Sequence, residues 1–248
     1  MNKLILNFKS KDSKKIKNPK NFLGGKGANL SEMGRIGLPV PPGFTISTKV
    51  CELFYKDKKK LNSQIVSTIK KELKIIEKEV GKKFGDLKNP LLLSVRSGAR
   101  VSMPGMMNTI LNLGLNDEIA AGMAAKTNNP RFAYDSYRRF IQMFADVVQG
   151  VDGHRFEDEI EKYKAAHGKV EDVDMNAEDW QAIIAIYKTF TDFPQDPFVQ
   201  LKLAVEAVFL SWYTPRANVY REMTNIPDTL GTAVNVQAMV FGNFGDDS

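Results

Sequence analysis

The hydrophobic and polar positions fall into two regimes along the chain. Up to about residue 115, short apolar runs alternate with helical stripes. Leu4–Phe8 ("LILNF") reads as a first strand, and "FTIST" from Phe44 as another with alternating faces. Between them, Ala28, Leu30, Met33 and Ile36 predict a short helix that stops at Gly37, before Pro39, Pro41, Pro42 and Gly43 break the chain. A helix is expected over Lys49–Tyr55. Another is expected over Leu61–Val80, where Ile65, Ile69, Leu73, Ile76 and Val80 recur every three or four residues on a charged background. "NPLLLSV" predicts a buried strand ending at Arg96, and "TILNLGL" another strand after the loop that follows.

From Asn116 the spacing turns helical. Phe132, Tyr137, Phe140, Ile141, Phe144 and Val148 mark one helix face. Asn176 in "NAED" predicts a helix cap with acidic residues in the first turn, and the segment from Phe198 to Asn225 reads as helical throughout. "TAVNVQAMVFGN" then returns to a β-branched, alternating strand. The pattern therefore predicts an α+β chain with a mostly helical insertion. The α/β part is expected over 1–110 and 198–248 and the helical part over 111–197, with no internal repeats and no low-complexity segments.

Composition adds limits. The chain has 248 residues, 43% hydrophobic and 26% charged, ordinary for a globular protein able to bury one large core or two modest ones. No run of eighteen apolar residues predicts a membrane helix, and the N-terminus lacks the pattern of a secretory signal. The single cysteine, Cys51, fits a reducing, cytoplasmic setting and a structural role. The net charge of +6 is unevenly spread: residues 1–90 carry 21 Lys/Arg against 8 Asp/Glu, and the remainder 14 against 21. A basic half can meet a polyanion. The lysines lack the interleaved aromatics and arginines of nucleic-acid readers, so a solvated surface is the simpler reading, and neither nucleic acid nor membrane is expected as a partner.

Candidate chemistry gathers at two places. In "GGKGAN", glycines before a helix let backbone amides approach an anion, and Lys26 can complete a phosphate site, although the spacing is not that of a P-loop. In "SVRSGARVSMPGMMNT", Arg96 follows a buried run and can grip two phosphate oxygens at once; pairing with a helical-block carboxylate is the structural alternative. The loop from Gly98 to Asn108 has hinge glycines, soft methionines and the donors Ser102, Asn108 and Thr109, which suits a mobile lid; a mobile hairpin is the plain alternative. His154 and His167 lie on charged segments without neighbours at metal-ligand spacing and are expected at the surface. Trp180, Trp212 and Tyr213 are expected in the core. Asp246 and Asp247 read as a solvated turn rather than metal ligands, and no metal site is expected in this chain.

Four segments together carry a resemblance: "GGKGANLSEMGRIGLPVPPGFTIST", "PLLLSVRSGARVSMPGMMNTILNLGLND", "YDSYRRFIQMFADVV" and "GTAVNVQAMVFGN". They span nearly the whole chain, the lysine-rich stretch 56–83 being the loosest part. The chain resembles the N-terminal nucleotide-binding domain of the pyruvate, phosphate dikinase family, as a truncated fragment. That resemblance implies an ATP-grasp-like fold and a phosphotransferase that interconverts ATP, pyruvate and phosphate with AMP, phosphoenolpyruvate and diphosphate through a phosphohistidine. It implies Lys26 and Arg96 as the phosphate-gripping catalytic cations. Gly98, Ser102, Met103, Gly105, Met106 and Thr109 would lie in or beside the loop over the phosphates, and Gln237 and Met239 near the adenine. It also implies Mg2+ ligands beyond residue 248, a phosphohistidine domain and a pyruvate barrel elsewhere in the same full-length chain, and a homodimer. Neither "DGHRF" nor "AAHGK" matches the family's Thr-Ser-His-type acceptor motif, so this chain alone is expected to be inactive. Phosphoenolpyruvate synthase or an antibiotic phosphotransferase of the same superfamily fits the residues less well, and a non-enzymatic basic binding module is the reading from a different class.

Overall fold

A computed structural model describes residues 3–241, as a mixture of helices and antiparallel sheet, α+β in class. The strands are β1 (Ile5–Asn7), β2 (Gly43–Ile46), β3 (Leu93–Ala99), β4 (Thr109–Leu113) and β5 (Thr232–Ala238). The helices are α1 (Pro19–Arg35), α2 (Thr48–Lys56), α3 (Ser63–Val80), α4 (Asp117–Thr127), α5 (Pro130–Phe144), α6 (Gly153–Ala166), α7 (Ala177–Lys188), α8 (Pro197–Leu210) and α9 (Pro215–Met223). The described residues divide into two compact units. The first comprises 3–81, 93–109 and 202–240; the second comprises 82–92, 110–201 and Phe241.

In the first unit four strands pair antiparallel in the order β1-β2-β5-β3. Register sorts their residues onto two faces, since alternate side chains point to opposite sides. One row runs Asn7, Phe44, Val236, Val95 and is mostly apolar; the next runs Leu6, Thr45, Asn235, Arg96 and is mostly polar. The second row carries the site. Helix α1 packs over it through Leu23, Ala28 and a series of small residues; of the other apolar positions in the sequence pattern, Leu30 and Met33 are half-buried. Its buried positions include Gly27, Ser31 and Gly34, and Ile36 is 60% exposed. Close approach explains this: a Cβ on Gly27 would lie 2.7 Å from Thr45 Oγ1, and one on Gly34 2.9 Å from the Phe8 carbonyl. Helix α3 forms as its stripe predicts, burying Ile65, Ile69, Leu73 and Ile76, capped by Asn62 and ended by left-handed Gly81.

Two boundaries differ from the sequence reading. Strand β3 starts at Leu93, because the Leu91 amide is taken by the Lys83 carbonyl, and it runs on to Ala99. Arg96 is therefore mid-strand rather than at its end. The expected continuous helix over 198–225 is three pieces. A 3-10 turn at Ser211–Tyr213 separates α8 from α9, which starts at Pro215 with Thr214 as its cap.

The second unit is built on α4 to α7. Phe193 meets the rings of Tyr137, Phe140 and Phe144 on α5, with centroids 5.2–5.8 Å apart. Asn176 caps α7 as expected, in a reciprocal box with Asp179. The segment 82–92 belongs to this unit, where Lys126 reaches Asn89 and a Cβ on Gly122 would lie 2.1 Å from the Leu87 carbonyl. No described helix is long and apolar enough to cross a membrane.

Candidate functional site

The site grows from a break in α1. Gly24 adopts φ 70°, ψ 172°, a conformation almost confined to glycine, and the helix restarts at Gly25. The break sets the restarted helix against β3: a Cβ on Gly24 would lie 1.5 Å from the Gly98 carbonyl oxygen. Gly98 is itself crowded, since a Cβ there would lie 2.5 Å from Asn235 Nδ2. Gly24 and Gly98 thus let helix and sheet meet backbone to backbone.

Beside this junction opens a cleft of about 470 Å³. Its walls are Lys20, Gly25, Lys26 and Asn29 from α1, Ser97, Gly98, Ala99, Arg100, Val101, Ser102, Met103, Pro104 and Met107 from β3 and the loop after it, and Thr109 at the start of β4. Among the described residues, no carboxylate lines it. Lys26 is exposed as a residue, yet desolvation lowers its pKa below the ordinary lysine value, and the charge of Arg96 lowers it further. Two cations within electrostatic reach of each other, with no counter-ion, make a position an anion would relieve. Among the described residues, Lys20, Lys26, Arg96 and Arg100 form no ion pair with a carboxylate. The start of the restarted helix adds partial positive charge on the same side.

The structure brings together Lys26, Gly98, Ser102, Met103 and Thr109 as cleft-lining residues. Arg96 sits one residue before the cleft wall, with Nε buried and unpartnered. Met103 is 6% exposed and packs, with Met106 and Met107 alongside, against Trp212, Ala217 and Ile226, so the loop's methionines anchor it to the protein. Gly105 (φ 71°) stands in open space. Gln237 donates from Nε2 to the Pro41 carbonyl at 3.1 Å, and Met239 lies half-buried just past β5; neither lines the cleft. Sequence reasoning missed Thr45 and Asn235. Thr45 Oγ1 donates to Asn235 Oδ1 at 2.8 Å, buried beneath Gly27. The signal available was the asparagine interrupting "TAVNV" in an otherwise apolar strand.

Elsewhere, His154 and His167 are exposed and Trp180 and Trp212 buried, as expected. Tyr213 is a correction, since it is 45% exposed; it sits in the 3-10 turn that ends α8, where its ring packs edge-on against Tyr55. Asp246 and Asp247 lie outside the described residues. No group of three potential metal ligands occurs among the described residues.

Fold and cleft define the class first: an α+β protein with a cationic, glycine-walled recess whose chemistry suits a phosphate-bearing ligand. The family described as "Pyruvate phosphate dikinase, AMP/ATP-binding domain" matches residues 20–71 and 57–245, and the chain belongs to it. It is 50% identical over 252 residues to pyruvate, phosphate dikinase 1, chloroplastic, of Arabidopsis thaliana, covering 99% of this chain and 26% of that protein. It is 53% identical over 236 residues to pyruvate, phosphate dikinase of Clostridium symbiosum (92% and 27%), and 48% over 254 residues to that of Rhizobium meliloti strain 1021 (100% and 28%). The chain thus spans about a quarter of the length of these relatives.

Proposed function

We propose that the chain is the ATP-binding part of a pyruvate, phosphate dikinase, with an ATP-grasp-like arrangement around the cleft. The observation that carries this reading is a cationic recess walled by Lys20, Lys26 and Arg100, with Arg96 within electrostatic reach of Lys26 and no carboxylate lining it among the described residues. Phosphoryl transfer is governed by positioning and charge neutralisation, and the chain's residues supply both. Arg96 offers its guanidinium fork to phosphate oxygens, Lys26 a point charge, and Ser102, Thr109 and the amides of the restarted helix offer further donors. The Gly98–Met107 loop covers the phosphates and keeps water from them, and Gln237 and Met239 neighbour the adenine.

The described residues of the cleft include no carboxylate, so they do not fit Mg2+ by themselves; the metal ligands are assigned to another part of the longer protein. The longer protein then supplies the phosphohistidine domain and the pyruvate barrel, converts ATP, pyruvate and phosphate to AMP, phosphoenolpyruvate and diphosphate, and acts in the cytoplasm as a homodimer. This chain by itself does not turn over.

The test uses the longer protein. Arg96→Lys and Arg96→Ala both slow the ATP half-reaction by about 30- to 1000-fold, since a point charge does not copy a bidentate fork, while the pyruvate half-reaction is unchanged. Equal loss in both half-reactions with a lowered melting temperature would make Arg96 a structural residue instead.

A further inference from the structure

Two buried donors beside the cleft have no acceptor: Arg96 Nε and Asn235 Nδ2. They belong to register partners on β3 and β5. Cβ atoms of such partners stand about 4.5–5.5 Å apart on the same face of the sheet. Unmet donors of this kind are rare in folded proteins, and two on neighbouring side chains call for one explanation. The amide of Asn235 provides it. Its oxygen accepts from Thr45 Oγ1 at 2.8 Å on the β2 side, while its nitrogen lies against Gly98 of β3, the strand that carries Arg96. Half a turn of the amide exchanges the two atoms, which are nearly equal in size. Nδ2 then donates to Thr45 Oγ1, and Oδ1 becomes an acceptor on the β3 side.

We propose that Asn235 is a positioning residue for Arg96, its side-chain oxygen accepting the Nε–H so that Nη1 and Nη2 remain free for the ligand in the cleft. The row Thr45–Asn235–Arg96 is then a chain of hydrogen bonds across three strands. Thr45 fixes the amide and the amide fixes the guanidinium plane. A guanidinium held at Nε has little freedom left, so its fork is presented to an anion already oriented. The crowding at Gly98 and Gly27 belongs to the same device, because a methyl group at either position would push the Asn235 amide out of line. The proposal rests on the reading of the cleft as a phosphate site only for its consequence on affinity; the hydrogen bond itself is tested separately.

The experiment is nitrogen-15 NMR of the Arg96 Nε–H in the chain without ligand, followed by titration with ATP and with adenosine. In the unaltered chain the Nε–H signal is shifted downfield and exchanges slowly. In Asn235→Ala it exchanges about tenfold faster, and ATP binds about tenfold more weakly while adenosine binds as before. Should Asn235→Ala fail to fold, Asn235→Asp keeps an acceptor: the Nε–H stays protected, while ATP affinity falls because the new carboxylate neutralises the arginine. The proposal is overturned if the Nε–H of the unaltered chain exchanges like that of a free arginine, if Asn235→Ala leaves it unchanged, or if Asn235→Asp exposes it. If the unaltered chain binds no ATP, the phosphate reading fails, and the Nε–H comparison still decides the role of Asn235.

Discussion

Replacing Gly24 by alanine tests the junction from which the cleft is built. Two penalties add. The backbone sits at φ 70°, ψ 172°, which costs an L-residue about 1–3 kcal/mol. The new methyl carbon would also lie 1.5 Å from the Gly98 carbonyl oxygen, against an ordinary contact above 3.4 Å. That atom is backbone, fixed by the β3–β5 ladder, so no side chain can swing aside. Relief requires α1 and β3 to part by roughly 2 Å, which opens the buried contacts of Leu23 and Ala28 and costs a further few kcal/mol. The expected loss is at least about 4 kcal/mol, a large share of the stability of a typical domain. Gly105→Ala is the control. It also carries a positive φ of 71°, but nothing lies within 4 Å of its Cβ, so it should lose only about 1–2 kcal/mol. Trp212 lies in the first unit and Trp180 in the second. Denaturant unfolding of both variants in a Trp180→Phe background, followed by fluorescence, therefore reads the right unit. If Gly24→Ala loses no more than Gly105→Ala, helix and sheet do not meet as described.

Two further outcomes follow from the same structure. Met103→Ala removes the buried anchor between the cleft loop and Trp212; hydrogen exchange at the amides of 101–107 should speed up by about tenfold or more, and unchanged exchange would show that the loop is held otherwise. Burial pushes the Asp172 carboxyl up, but the hydrogen bond from Lys164 and the charges of Arg138, Lys164 and Arg139 outweigh it and hold the pKa below the ordinary value of 3.8. Its contribution is therefore present above that value and lost as pH falls through the lower, folded pKa. The acid loss of stability in the second unit, read by Trp180 in a Trp212→Phe background, should shrink in Asp172→Asn, and an unchanged acid limb would contradict the assignment.

Elements with local signals were legible in the sequence. The stripe of α3, the capping asparagine at 176, and the alternation of β5 each depend on residues within a few positions, and the structure has them. Lys26 and Arg96 stood out by residue type and by resemblance. What was not legible depends on register. Nothing local shows that Thr45, Asn235 and Arg96 share one row, because that follows from pairing strands up to 190 residues apart. The close approach of α1 to its neighbours was not legible for a related reason. Hydrophobic periodicity finds large apolar residues, whereas Gly27 and Gly34 sit where a Cβ would meet Thr45 Oγ1 at 2.7 Å and the Phe8 carbonyl at 2.9 Å. Tyr213 was assigned to the core on residue type, but the turn between α8 and α9 leaves it at the surface.

The central claim is that the recess between α1 and β3 holds nucleotide phosphates through Lys26 and Arg96. The most direct measurement is an ATP titration of this chain, followed by backbone-amide NMR and calorimetry, with adenosine as the ligand lacking phosphate and with Lys26→Ala and Arg96→Ala alongside. The account predicts that ATP shifts the amides of 25–27 and 97–109, that adenosine leaves them in place, and that each substitution weakens ATP by about tenfold or more, with the melting temperature of Lys26→Ala unchanged. ATP binding that both variants retain in full, or shifts confined to the second unit, would contradict it.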